Sequence, residues 1–244
     1  MQTTDLIYPV GTGSHWDNNE LRYSLRSVAQ NLRGVGKVWI VGERPEWLRG
    51  VEHISVQDKW GKANPTANTL SKVLAACDAG ISERFIYMND DFFIMRPMQA
   101  ENIQPLYKND LTEWPPSYWN KHPWRQRMLK TMKLLQSTGL KTLCFDIHAP
   151  FPMEVTKVRE LADRFDWKTG NGLNWRSLYG NVNYPNEAIK NNGKKIVFHS
   201  PKCSKEIAET IKGRQFVAVG EKGLNDDMKR MLDYWFRKNC KFEA

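Results

Sequence analysis

The feature that most limits what this chain can become is an alternation of short apolar runs with amphipathic stretches, each boundary marked by turn residues. Residues 5–10 read as a strand that stops in the turn Gly11-Thr-Gly-Ser14. Residues 20–32 then place Leu21, Leu25, Val28, Ala29 and Leu32 on one helical face, completing a β-loop-α unit. Residues 37–41 and 51–56 read as further strands, and residues 66–78 as a helix begun after Asn64-Pro65. The apolar run 84–88 is a buried strand that ends in Asn89-Asp90-Asp91. Beyond it the spacing predicts a helix over 124–136, a strand over 142–146, an amphipathic helix over 153–165, late strands over 195–198 and 215–219, and a last helix over 226–236. Strands and helices in alternation imply an α/β fold with a mainly parallel sheet flanked by helices, in which ligands collect beyond the carboxyl ends of the strands. No internal repeat or linker divides the chain, so one domain over 1–244, elaborated by an aromatic, basic insertion at about 98–140, is expected.

Composition narrows the functional classes. With 41% apolar and 26% charged residues among 244, the chain can bury a substantial core, which excludes disorder as its main state. No apolar run is long enough to cross a bilayer and the start lacks the pattern of a secretory signal, so a soluble, cytoplasmic protein is expected. Cys77, Cys144, Cys203 and Cys240 are scattered, which fits reduced thiols rather than a disulfide framework or a zinc cluster. The net charge of +9 is uneven. Residues 1–120 hold 12 Lys and Arg against 14 Asp and Glu, and residues 121–244 hold 24 against 13. Between Glu113 and Asp146 there is no acidic residue, while Lys121, Arg125, Arg127, Lys130, Lys133 and Lys141 are interleaved with Trp114, Tyr118, Trp119 and Trp124. That mixture suits a polyanion with rings to stack, and it equally suits a solvated basic helix whose tryptophans are core.

Candidate chemistry sits where strands stop. Asp90 and Asp91 repel one another at a buried strand end unless a positive group offsets them, and Mg²⁺ or Mn²⁺ between them and a nucleotide diphosphate would do so. A capping Asp90 beside a solvated Asp91 is the plainer alternative. Gly11, Thr12 and Gly13 would let backbone N–H groups approach a phosphate, or are turn punctuation. Arg22 and Arg26 share a helical face and would suit phosphate oxygens, or pair with acids. His148 would take a proton from an acceptor hydroxyl with Asp146 holding its other nitrogen, or Asp146 itself would enter the cleft. His199 shares the strand-end position of His148, and Arg176 would neutralise a leaving diphosphate. Asn225-Asp226-Asp227 reads as a helix cap that also offers a carboxylate pair to a metal.

Taken together, these blocks resemble the Stealth proteins, the sugar-phosphate transferases of bacterial capsule synthesis and of lysosomal GlcNAc-1-phosphotransferase. Residues 19–27, 37–42 and 45–48 resemble that family's second conserved block, and Phe85-Ile-Tyr-Met-Asn-Asp-Asp91 resembles its Asn-Asp-Asp strand end. Asp146-Ile-His-Ala-Pro150 with residues 153–165 is similar to its third block, and residues 216–219, 225–227 and 241–243 to its last. Tyr8-Pro9-Val10-Gly11 departs from the first block, which has a carboxylate there. The likeness is to short relatives of phages and bacteria described as glycosyltransferases. It implies a GT-A-like, Rossmann-like domain with a UDP- or GDP-linked sugar as donor. Asp90 and Asp91 would hold the metal and Asn89 would stand beside the donor. His148, Asp146 and Asp91 would be catalytic, and Arg176 would contact phosphate.

Two chemistries share such a scaffold: glycosyl transfer with loss of nucleoside diphosphate, and sugar-1-phosphate transfer with loss of nucleoside monophosphate. The short chain and its altered first block favour glycosyl transfer. The basic second half favours a polyanionic acceptor, either hydroxymethylated phage DNA or an anionic glycan, met by Arg125, Arg127, Lys130, Trp119 and Trp124. A nucleic-acid-binding module without catalysis is the non-enzymatic alternative.

Overall fold

The computed structural model describes residues 3–120 and 122–244; Lys121 of the basic segment lies outside them. In chain order the first half runs β1 (Thr4–Val10), α1 (Asn19–Asn31), β2 (Leu32–Arg33), β3 (Val35–Gly42), β4 (Glu52–Ile54), α2 (Pro65–Asp78), β5 (Arg84–Tyr87), β6 (Phe92–Ile94), β7 (Met98–Gln99) and β8 (Leu106–Tyr107). The second half runs α3 (Pro123–Ser137), β9 (Phe151–Glu154), α4 (Val155–Arg164), α5 (Trp175–Asn183), β10 (Ile189–Lys190), β11 (Lys195–Phe198), α6 (Ser204–Ile211), β12 (Phe216–Val219) and α7 (Asp226–Trp235).

The main sheet has the order β4-β3-β1-β5-β9. Four of its strands are parallel, and β9 joins the edge antiparallel to β5. β1 lies at its centre because Leu6, Ile7, Tyr8 and Val10 are apolar toward both faces and fully buried. The chain proceeds from β1 outward through β3 and β4, then returns through α2 to β5 on the other side of β1. The sheet is thus Rossmann-like, with its switch point between the carboxyl ends of β1 and β5. α2 starts sharply: the Asn64 side chain accepts from Ala67 N and Pro65 takes the first helical position.

A second sheet, β11-β12-β6, stands beside the first, with β11 and β12 parallel and β6 antiparallel to β12. Residues 88–91 therefore connect one sheet to the other. The Asn-Asp-Asp turn sits on that crossing, tied to the small sheet by Val219 N donating to the Asp91 carbonyl at 3.3 Å.

Two expected elements differ. Residues 142–146 form no strand. On one edge Asn181 of α5 bonds both the N–H and the carbonyl of Leu143, and Ser177 accepts from Phe145 N. On the other the backbone of 142–144 meets residues 108–111 in a single bridge at Leu143, so no ladder extends. Within 153–165 the first two residues belong to β9 and the helix starts at Val155. The tryptophans of the basic segment follow the core reading in large part. Trp114, Trp119 and Trp124 pack around Leu111, Met128 and Cys144 in a small satellite core. All four cysteines are free thiols.

Candidate active site

A cavity of about 540 Å³ opens at the switch point. Its walls are the loop after β1 (Gly11, Gly13, Trp16), the end of β5 (Tyr87, Asn89, Asp90, Asp91) and the loop after β12 (Gly220, Glu221), with Lys229 of α7 at the rim. Thr12 is exposed and does not line it. Nothing lies within 4 Å of the place a Cβ would occupy on Gly13, so the loop leaves open space for a ligand to meet backbone. Trp16 stacks on Tyr23 with ring centroids 5.5 Å apart, and Lys229 lies 5.4 Å from the Trp16 ring.

The floor of this cavity is strongly acidic. Burial, with Asp91 and Glu20 adding like charge, pushes the Asp90 carboxyl up to about 7. Oδ1 of Asp91 is buried without a hydrogen-bond partner. Both observations describe a place short of positive charge, and a divalent cation sharing phosphate oxygens fits such a pair, because Mg²⁺ commonly takes only one or two carboxylates from the protein. The protein alone offers no more: among the described residues no three His, Cys, Asp or Glu gather as a metal-binding group. Asp226 and Asp227 do not join them. Asn225 caps α7 by accepting from Met228 N, and Asp227 accepts from Ser204 and Arg230.

Beside this cavity is a second, of about 510 Å³, and a pair of side chains stands between the two. Asp91 lines the first and His148 lines the second, with His148 Nδ1 3.7 Å from Asp91 Oδ2. His148 has φ 51°, in the left-handed region that a side-chain-bearing residue adopts at a cost. Pro150 and the buried Ala149 follow at once and fix that turn. The ring packs beside Phe92 and His199, with centroids 5.8 and 6.4 Å away.

Asp146 does not hold His148, which corrects the first sequence expectation for it; it does line the second cavity, but with both carboxylate oxygens already bonded. Its Oδ1 accepts from Arg176 Nη2 and its Oδ2 from Trp124 Nε1 at 2.6 Å. Burial would raise its pKa, but Arg176, His148 and Trp124 outweigh that and hold the carboxyl below its usual range. Arg176 is held by the same pair, although its Nη1 is buried without a hydrogen-bond partner. It is buried, ion-paired to Asp146 and stacked 5.4 Å from the Tyr87 ring, so it braces the site from behind instead of facing the switch-point cavity.

Arg22 and Arg26 are also corrected. Arg26 donates to Glu243 at 2.7 and 2.8 Å, to Asn239 and to the Phe236 carbonyl, and Arg22 reaches Glu243 at 3.3 Å while lying over Trp47. They clamp the residues after α7 onto α1 and do not reach the cavity. Of the basic segment, Arg127 is buried against the Asn171 carbonyl and Arg125 is folded over Tyr118, whereas Lys130 is exposed. Trp119 belongs to the satellite core; Trp124 alone of that group reaches both Asp146 and the second cavity. Lys108 and Lys195 line that cavity too, and no motif had marked them.

A Rossmann-like α/β chain with paired strand-end carboxylates at its switch point and a histidine behind them defines a class of ligand-binding fold, and the comparisons narrow it. Residues 14–110 match the family described as Stealth protein CR2, conserved region 2. The chain is Stealth-family-like, and the matched region includes α1, α2, β5 and the Asn89-Asp90-Asp91 turn. It is 39% identical over 97 residues to an exopolysaccharide phosphotransferase of Streptomyces coelicolor, covering 36% of this chain and 10% of that protein. It is 32% identical over 115 residues to a capsular polysaccharide phosphotransferase of Actinobacillus pleuropneumoniae, covering 42% and 30%, and 36% identical over 100 residues to one of Neisseria meningitidis, covering 36% and 26%. The matches thus span less than a third of each of these relatives. No described helix is long and apolar enough to cross a membrane.

Proposed function

We propose that the chain is a single transferase domain of GT-A type that moves a sugar-1-phosphate from a UDP- or GDP-linked sugar to a hydroxyl of a glycan. The observation that carries this reading is the Asp91–His148 pair, which stands between two neighbouring cavities of about 540 and 510 Å³. The relatives' names, all polysaccharide phosphotransferases, favour phosphoryl transfer over the glycosyl transfer expected from the short chain and its altered first block, and a glycan over DNA.

In this reading the nucleotide diphosphate lies in the switch-point cavity under the Gly11–Gly13 backbone, with Trp16 as a flat wall. Asp90 and Asp91 would hold Mg²⁺ or Mn²⁺, which when bound neutralises charge developing on the transferring phosphoryl group. With His148 Nδ1 turned to Asp91, Nε2 is the nitrogen left to accept the hydroxyl proton. The acceptor oxygen attacks the phosphorus that carries the sugar. The bond from that phosphorus to the bridging oxygen breaks, and nucleoside monophosphate leaves. Arg176 and Trp124 keep Asp146 ionised and fixed, so that the segment bearing His148 holds its place.

The test is incubation with UDP-, GDP- and CMP-linked sugars in Mg²⁺ or Mn²⁺, identifying the nucleotide released. Monophosphate from UDP- or GDP-sugars is expected; release of diphosphate would return the reading to glycosyl transfer.

A further inference from the structure

The second cavity carries a charge pattern that the transfer chemistry does not require. Lys108, His148, Lys195 and His199 all face it, with Tyr118 and Trp124 as its aromatic side. Its one carboxylate, Asp146, is already bonded to Arg176 and Trp124. Neither Lys108 nor Lys195 is ion-paired to an acidic side chain among the described residues. Lys195 is half-buried, and burial together with Lys108 and Arg176 nearby pushes its ammonium down to about 7. His199 is lowered by burial and by His148, Lys195 and Lys108. Cationic groups crowded around one open space raise each other's energy, and a bound anion relieves that cost. The ring of Trp124 beside them suits the apolar face of a sugar ring.

We propose that this cavity is an acceptor subsite selective for a glycan that carries an oxyanion near the attacking hydroxyl, with Lys108 and Lys195 contacting the oxyanion and Trp124 supporting the ring. The inference rests on the transferase reading, since it is His148 at the cavity edge that brings such a hydroxyl to the reaction. It adds selection of the acceptor by charge. A uronate carboxylate and a sugar phosphate present the same oxyanion chemistry.

The experiment is calorimetric titration of the full chain at low salt, without donor, using three probes: methyl glucoside, methyl glucuronide and methyl glucoside 6-phosphate. At least one anionic probe is expected to bind about tenfold more tightly than the neutral one. The stronger of the two identifies carboxylate or phosphate as the source. In the Lys108→Gln/Lys195→Gln variant the preference is expected to fall to about twofold or less, and Lys108→Gln alone, at an exposed position, is expected to lower it about threefold whether or not the double variant folds. Equal binding of the three probes, no binding of any, or a preference unchanged in Lys108→Gln overturns the inference. Parallel titrations with UDP and with GDP, each with Mn²⁺, read the other cavity. Binding of either nucleotide without anionic preference removes this inference alone, whereas absence of binding by both removes the transferase reading beneath it.

Discussion

Nδ1 of His148 stands 3.7 Å from Oδ2 of Asp91, although the two residues come from a loop after α3 and a crossing between two sheets. That separation is outside hydrogen-bond range and inside the range of an ion pair, a spacing that a bound substrate would tighten. His148→Gln is expected to lower kcat by about 10²–10⁴-fold while leaving the donor KM within about threefold, because it removes a proton acceptor and not a donor contact. Steady-state kinetics at saturating acceptor check this. A change confined to KM would remove His148 from the chemistry.

Asp90 gives the pH dependence of the metal-free chain. Its folded pKa of about 7 exceeds the ordinary carboxylate value through burial and through Asp91 and Glu20. The folded state therefore holds this proton more tightly than the unfolded state, and stability falls as pH rises from about 4 through 7. Asp90→Asn is expected to raise the melting temperature at pH 8 by about 2–6 °C and to abolish the added stabilisation from Mn²⁺ with UDP. Thermal unfolding with and without those ligands measures both effects.

Arg176 is expected to act on stability before affinity. Arg176→Met leaves Asp146 buried without its counter-charge and should cost about 3–5 kcal/mol, whereas Trp124→Phe removes one hydrogen bond and should cost about 1–3 kcal/mol. Urea unfolding gives the order. A stable Arg176→Met chain with weakened donor binding would reinstate a direct phosphate contact.

Much of the fold was legible because its strands are uniformly apolar and its helices striped. β1, β3, β5, α1, α2 and α7 lie where the pattern put them, within a residue or two at each end. α5 was not legible: Trp175 to Asn181 is buried on every side, so no polar face reveals a helical period. β9 was hidden because it runs into α4 without a break, and β6 because it is three residues long. That Asp90, Asp91 and His148 lie beside the cavities could be read because strand ends and proline-bounded turns are visible locally. Arg22 and Arg26 were misjudged because spacing shows that they share a face but not that Glu243 lies opposite. Lys108 and Lys195 carried no local signal; only the packing of β11 and α3 with the segment after β8 brings them to one cavity.

The Arg26–Glu243 pair fixes the acid limit of the C-terminal clamp. Burial would raise the Glu243 carboxyl, but hydrogen bonds from Arg26 and the Cys240 backbone overcome it and hold the pKa below the usual range. Its stabilisation is therefore complete above the unfolded value, about 4.3, and is lost as pH falls through the lower folded value. Arg26→Ala is expected to cost about 3–5 kcal/mol at pH 7, and the cost should shrink on acidification as Glu243 takes a proton. Denaturation midpoints at pH 7 and at pH 3 compare the two conditions.

The most direct test of the central claim follows the phosphorus atom attached to the sugar. The chain is supplied with UDP- and GDP-sugars labelled with ³²P at the β position, a divalent cation and an anionic glycan acceptor. Sugar-1-phosphate transfer places the label in the glycan, with unlabelled nucleoside monophosphate released, and His148→Gln should slow its appearance. Label that stays on a released nucleoside diphosphate while the sugar moves to the glycan would contradict the account.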